Sequence, residues 1–369
     1  MTWEQTLEHS AKQAARVLEI CGRKGRIACV MQDNPDPDAL ASAYALRDLV
    51  WRTLKKRVAI CYGGYIGRAE NRAMMRVLHI EAQRLTPAQV RKYKTLCIVD
   101  GQPRAGNMTL LGDRTPEIVI DHHLIPKRRD WKADMEDLRP EYGATSTILY
   151  EYLVARGITL HDNVATALFY GIQSDTQDLG RETTPAGVRA YQELFIEADK
   201  RKLARIRRAP VSREYFQMLS DGLSECVVAG PTVISFIHEC HNGDMLAEMA
   251  DLLIRLEGRR TAVCYGVVDN MILLSARAAD GRSNAAERMQ KVVAQLGQGG
   301  GHTTMAGGQI PLNSSPQKRL KTVYERILKA FAGGYEPEPL TQEDKEDAAP
   351  GPAAARKARE EKEEKEEDT

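Results

Sequence analysis

Between residues 26 and 172, short apolar runs alternate with helical patterns, and that alternation limits the fold more than any other feature of the chain. RIACVM (26–31), RVAICYGG (57–64), TLCIVD (95–100) and EIVIDHH (117–123) read as buried strands. Helical patterns run from about Ala39 to Leu54, through NRAMMRVLHI (71–80), TSTILYEYLVARG (145–157) and NVATALFYGI (163–172). Strands alternating with helices predict an α/β fold: a mostly parallel sheet with helices on both faces. Three of the four runs stop at acids or histidines, which places those groups at strand ends.

From Cys226 the pattern changes. CVVAGPTVISFIHE (226–239) predicts a hairpin, DMLAEMADLLIRLEG (244–258) a helix, and RTAVCYGVVDNMILLSARA (260–278) a second hairpin turning at Asp269-Asn270. NAAERMQKVVAQLG (284–297) predicts a helix leading into GQGGGHTTMAGGQIPL (297–312). We therefore expect an N-terminal domain over 1–198, a basic linker over 199–224, and a smaller C-terminal α/β domain over 225–333. A cleft is expected between the domains, and a disordered charged tail over 334–369. The basic run DKRKLARIRRAP (199–210) fits a solvated linker helix or a positive wall beside an anion-binding cleft.

Composition narrows the class. A hydrophobic share of 43% and a charged share of 28% are those of a globular protein. No apolar run approaches the ~20 residues that span a bilayer, so no membrane association is expected. The seven cysteines are scattered, odd in number and never form C-x-x-C, which predicts core thiols and a cytoplasmic location. Residues 341–369 carry 11 acids and 6 bases, so the net +1 of the whole chain conceals +6 on the remainder. A mildly basic body suits an anionic substrate.

The strand-end groups carry the chemistry. NPDPD (34–38) follows the first run, Asp100 ends the third, Asp121-His122-His123 end the fourth, and Asp175 sits in YGIQSDTQD (170–178). In open parallel sheets, ligands bind beyond the carboxyl ends of the strands, so these distant residues can converge. Pro37 pushes Asp36 toward extended backbone, and we expect Asp36 and Asp38 to project in similar directions. Their repulsion in a low-dielectric cleft calls for divalent cations, and carboxylates with imidazole suit manganese or magnesium. Taken singly, each piece is weak: D-x-D is commonly a solvated loop, and a double histidine commonly a capped turn. Their ordered conjunction is what points to a site.

NPDPDALAS, CIVD, VIDHH and GIQSDT, in that order, resemble the motifs of the DHH phosphoesterase superfamily, and GQGGGHTTMAGG resembles the signature of its DHH-associated C-terminal domain. The resemblance covers about residues 15–332, and within the superfamily the compact plan is similar to the NrnA-type oligoribonuclease group. It implies a two-metal phosphoesterase that hydrolyses short single-stranded oligonucleotides (nanoRNA) or 3′-phosphoadenosine 5′-phosphate (pAp) with a hydroxide bridging the ions, manganese first and magnesium second. Asp36 would bind one ion, Asp38 the other and Asp100 both, while His122 and Asp175 would complete the second site. His123 would face the scissile phosphate. Gly299, Gly300, Gly301, His302 and Arg277 would hold the distal part of the substrate. Arg68, Asn71 and Arg72 would line the cleft, or else serve the helix that starts there.

One position departs from that pattern. Many members carry a histidine ligand where this chain has Gln32, and an amide oxygen is a weaker donor than imidazole. Either a looser first metal site is tolerated, or that ion is lost and the protein binds nucleotides without efficient turnover. Linear or cyclic dinucleotides are alternative substrates. A symmetric homodimer is compatible with everything above.

Overall fold

The computed structural model describes residues 2–125, 129–238, 240, 243–312 and 314–340. The chain divides into two units, Met1–Pro210 and Val211–Thr369.

The first unit runs α1 (Trp3–Gly22), β1 (Ile27–Val30), α2 (Pro37–Leu54), β2 (Val58–Tyr62), α3 (Ala69–Leu78), β3 (Ala82–Arg84), α4 (Pro87–Val90), β4 (Thr95–Val99), β5 (Ile118–Asp121), β6 (Met135–Leu138), α5 (Thr145–Ala155), α6 (Asp162–Asp175), α7 (Pro185–Glu197) and α8 (Lys200–Arg207). Its six strands lie in the order β3-β2-β1-β4-β5-β6, every pair parallel. Side chains alternate between two cores, as the two-residue period of a strand requires. Ile27, Cys29, Met31, Cys97, Val99, Ile118 and Ile120 meet residues of α1, α2, α5 and α6 on one face. Ala28, Val30, Leu96, Ile98 and Val119 meet Val90 of α4, Tyr93, Leu110 and Trp131 on the other.

The four strands read from apolar runs are β1, β2, β4 and β5. The edge strands β3 (AQR) and β6 (MEDL) escape such a reading because their sequences are polar. The stretch 199–224, expected as a linker, is mostly helix. Its basic part is α8, which belongs to the first unit and buries Leu203 and Ile206; Asp199 caps it by accepting from Arg201 and Lys202 amides. A solvated linker would leave those two apolar side chains in water.

The second unit runs α9 (Arg213–Ser224), β7 (Val227–Ala229), β8 (Thr232–Ile237), α10 (Gly243–Leu253), β9 (Thr261–Val268), β10 (Met271–Ala278), α11 (Ala285–Val293), β11 (Gln298–Gly301), β12 (Met305–Pro311), α12 (Pro316–Ile327) and β13 (Glu338–Pro339). Its mixed sheet has the order β11-β12-β10-β9-β8-β7-β13. The β9–β10 hairpin turns at Asp269 (φ 45°) and Asn270 (φ 65°), the left-handed pair that a two-residue turn needs. The glycine-rich segment forms an edge strand, in which Gly299 and Gly300 pair with Gly308 and Gly307. The chain also stays ordered past 333, since β13 pairs with β7; residues 341–369 of the expected tail lie outside the described residues. All seven cysteines are buried thiols. No described helix is long and apolar enough to cross a membrane.

Candidate metal centre

In the first unit the strand order reverses between β1 and β4, so the chain departs to opposite sides of the sheet and leaves a crevice at their carboxyl ends. Segments following β1, β4 and β5 open onto that edge.

After β1 the chain turns into α2. Asp36 is the N-cap, extended at φ −88° and ψ −178°, and its Oδ1 accepts from the Ala39 amide at 2.9 Å. Pro37 occupies the first helical position, where a missing N–H costs nothing. Asp38 is therefore already helical, and the expectation that the two acids project alike from extended chain is wrong. Asp36 caps its own helix, whereas Asp38 caps another. The N-cap of α5 is Ala144, which offers no side-chain acceptor. Asp38, fully buried, fills that role: its Oδ2 accepts from Thr145 N at 2.7 Å and its Oδ1 from Ser146 N at 2.8 Å. Gly171 on α6 permits this packing, because a Cβ there would lie 2.4 Å from Ser146 Oγ and 3.1 Å from Asp38 Oδ1.

Asp100 ends β4 at φ 54°, a left-handed conformation uncommon outside glycine and typical of functional positions. It is buried, with Oδ1 accepting from Thr145 Oγ1 at 3.2 Å and Oδ2 lacking any partner. At the end of β5, His122 is oriented by its Nδ1, 3.0 Å from the Tyr142 carbonyl, which assigns the proton to that nitrogen. Its Nε2 then faces Asp175 Oδ2 at 3.0 Å and Asp100 Oδ1 at 3.5 Å, without a well-formed hydrogen bond to either. His123 Nδ1 lies 2.8 Å from Asp121 Oδ1, and Gln102 Nε2 donates to Asp121 Oδ2 at 2.7 Å. Asp175, the last residue of α6, also faces Arg181 at 3.6 Å.

Burial together with the charges of Asp100 and Asp175 pushes the Asp36 carboxyl up to about 7 and Asp38 well above the usual carboxylate range. Burial alone would depress His122 and His123, but neighbouring carboxylates override it. Asp100 and Asp175 raise His122 well above an ordinary imidazole, and Asp121 with Asp100 brings His123 to about 9. Burial likewise opposes ionisation of Asp175, yet the adjacent His122 outweighs it and lowers its pKa. Carboxylates crowded in this way raise one another's proton affinity, an electrostatic cost that a divalent cation would relieve.

The donor set tests whether a cation fits. One ligand atom each from Asp38, His122 and Asp175 lie within 4.8 Å of one another, and so do atoms from Asp100, His122 and His123. Two buried polar atoms of these groups, Asp100 Oδ2 and His122 Nε2, make no well-formed hydrogen bond. Carboxylate oxygens plus one imidazole suit a divalent ion. Asp36 stands outside both convergent groups, and Gln32 Nε2 donates to its Oδ2 at 3.1 Å. Asn71 is a brace: buried, it donates to the Pro35 carbonyl at 3.1 Å. Arg72 bonds the carbonyl of Gly67, and Arg68 lies 3.7 Å from Glu70.

The remaining expected residues belong to the second unit. Arg277 is engaged there by Asp251 at 2.5 Å and by Ser275 Oγ at 3.1 Å. The β11 glycines differ among themselves: a Cβ at Gly299 would press on Val293 and Met289 at 3.1 and 3.2 Å, whereas one at Gly300 would meet nothing within 4 Å. Packing explains the first glycine and leaves the second open. His302 N donates to the Met305 carbonyl at 2.7 Å, closing the β11–β12 turn. Thr145, Tyr142, Gln102 and Asn107 were not singled out from sequence. Thr145 alone had a visible signal, a helix start without a capping side chain at Ala144.

Residues 26–172 match the DHH family, N-terminal domain, and residues 229–332 match the DHHA1 domain. The first unit thus carries a DHH N-terminal domain and the second a DHHA1 domain. The fold is shared with the crystal structure of an exopolyphosphatase-related protein from Bacteroides fragilis, at a TM-score of 0.68 over 86% of this chain and 96% of that one, with 15% identity. Among curated relatives, the uncharacterized protein MJ1633 of Methanocaldococcus jannaschii is 35% identical over 315 residues, 84% of this chain; the match spans 63% of that protein's length. A Bacillus cereus protein named "Probable manganese-dependent inorganic pyrophosphatase" is 26% identical over 233 residues, 59% of this chain and 72% of its own.

Proposed function

We propose that this protein is a divalent-cation-dependent phosphoesterase, with manganese as the preferred ion and short single-stranded oligonucleotides or pAp as substrates. One observation carries the reading: Asp38, Asp100 and Asp175 with His122 and His123, from four separate segments, converge in the first unit, where Asp100 Oδ2 is buried without a partner. Asp38, Asp100, His122 and Asp175 are the residues that would hold a cation. When bound, such an ion polarises a phosphoryl oxygen and lowers the pKa of water. The protein's own part is positional. The α5 amides fix Asp38, Thr145 fixes Asp100, and the Tyr142 carbonyl turns Nε2 of His122 toward the cluster. Asp121 and Gln102 lock the His123 ring, whose raised pKa suits it to donate to a phosphate oxygen. The DHHA1 domain supports a nucleotide substrate, with Gly300 a place where backbone can approach a phosphate closely.

The names of two relatives favour a second reading, a phosphoanhydride substrate such as pyrophosphate or polyphosphate. A panel of 5′-labelled di- to pentanucleotides, pAp, cyclic dinucleotides, pyrophosphate and polyphosphate, run with manganese, magnesium or chelator, separates the two. We expect manganese-dependent release of mononucleotide or phosphate from the short linear nucleotides, lost in Asp100→Ala. Turnover confined to pyrophosphate or polyphosphate would select the second reading. No cation-dependent hydrolysis of any phosphoester would leave a nucleotide-binding protein.

A further inference from the structure

Gln32 breaks the pattern of ligands, and the structure shows what it does instead. We propose that this chain binds a single tight divalent cation, on Asp38, Asp100, His122 and Asp175, and that a Gln32–Asn107 amide relay holds Asp36 by hydrogen bonding in place of a second ion. The inference rests on the cation-dependent reading above and deepens it.

Both oxygens of Asp36 are engaged by the protein. Oδ1 caps α2 through the Ala39 amide at 2.9 Å, and Oδ2 receives Gln32 Nε2 at 3.1 Å. The orientation of the Gln32 amide follows from its two neighbours. Its Oε1 accepts from Asn107 Nδ2 at 3.0 Å. Turning the amide over would set a carbonyl oxygen against the Asp36 carboxylate and two NH₂ groups against each other. What Gln32 presents to Asp36 is thus an amide nitrogen, which carries protons and no lone pair for a cation.

Asn107 is itself held in register. The Asp33 amide donates to the Asn107 carbonyl at 2.8 Å, and the Asp33 carboxylate receives Thr109 Oγ1 at 2.7 Å. Residues 32–33 and 107–109 are therefore laced together, and the relay runs Asn107 to Gln32 to Asp36. A hydrogen bond from a neutral amide offsets part of the repulsion from Asp100 and Asp175 without a second ion. Asp100, by contrast, keeps a buried oxygen without a partner; Asp38 also has both oxygens on amides, but it joins a convergent group with His122 and Asp175, whereas neither convergent group among the described residues includes Asp36.

The test is Mn²⁺ titration of the full-length, metal-stripped protein by calorimetry, with electron paramagnetic resonance of the loaded form. We expect one tight Mn²⁺ per chain and the resolved hyperfine pattern of an isolated ion. Asp36→Asn should keep that stoichiometry with affinity changed by less than about threefold, whereas Asp175→Asn should weaken binding by at least about tenfold. Gln32→His should add a second ion and quench the isolated-ion signal, because two ions roughly 3.5–4 Å apart couple magnetically. Two Mn²⁺ bound to the wild type with comparable affinity and a coupled spectrum would overturn the inference while leaving the phosphoesterase reading intact. No Mn²⁺ binding at all would overturn both.

Discussion

Behind the metal centre lies a buried ion network whose removal has a calculable effect. Arg139 grips Asp137 with two hydrogen bonds, Nε to Oδ1 at 2.8 Å and Nη2 to Oδ2 at 2.7 Å. Its Nη1 reaches Glu151 Oε2 at 2.5 Å, and its Nη2 also reaches Ser10 Oγ at 3.0 Å. Tyr142 OH donates to Glu151 Oε1 at 2.9 Å, and Tyr152 OH to Asp137 Oδ2 at 2.6 Å. Arg139, Asp137 and Glu151 are at most 5% exposed, and together they tie α1, β6 and α5. Arg139→Met strands two carboxylates in the core, which costs about 3–5 kcal/mol. With a urea slope of about 2–3 kcal/mol/M, the midpoint should fall by roughly 1–2 M. The assay is tryptophan fluorescence, which follows the first unit alone because Trp3, Trp51 and Trp131 all lie within it.

The pH dependence gives a second reading of the same variant. Burial opposes ionisation of Asp137, but Arg139 overcomes it and holds the acid below the usual range. In the wild type that contribution is present above about pH 4 and is lost as pH falls through the lowered folded pKa. In Arg139→Met the orphaned acids have raised folded pKa values, so acidification should restore stability instead. Replacing Asp137 and Glu151 by leucine in that background should recover most of the loss. A midpoint shift below about 0.3 M, or no reversal of the pH trend, would show that the network is not charge-critical.

Other expectations follow from the site. Mn²⁺ at about 100-fold over its Kd should stabilise the wild type by about 2.7 kcal/mol; Asp100→Asn should lose that increment in a thermal melt without destabilising the metal-free form, since it removes one crowded anion. Asp36, raised to about 7 by burial and by Asp100 and Asp175, holds its proton more tightly folded than unfolded. Metal-free protein should therefore lose stability from about pH 4 to 7, by up to ~1.4 kcal/mol per pH unit, and denaturant titrations of Asp36→Asn should show a shallower slope. Gly300→Ala should change stability by less than about 0.5 kcal/mol, its Cβ meeting nothing, while raising KM on nucleotide substrates; an unchanged KM would remove Gly300 from the substrate site.

Local pattern made much of this protein legible. Apolar runs of strand length and helical periodicity locate β1, β2, β4 and β5, and the abrupt polar groups after β4 and β5 draw attention to Asp100 and His122, because backbone period is written in consecutive residues. The edge strands β3 and β6 were not legible, since polar sequence carries no burial signal.

What tertiary structure alone decided are the partners. Asp38 capping α5, the Tyr142 carbonyl turning His122, Gln102 behind Asp121, Asn107 behind Gln32 and the Arg139 network all join segments remote in the chain. Which way Asp36 and Asp38 point was likewise a tertiary outcome, because one proline started a helix that sent the two carboxylates to different amides. Hydrogen bonds are short and directional, so a sequence can supply the groups, but only the packed sheet and helices select which donor meets which acceptor.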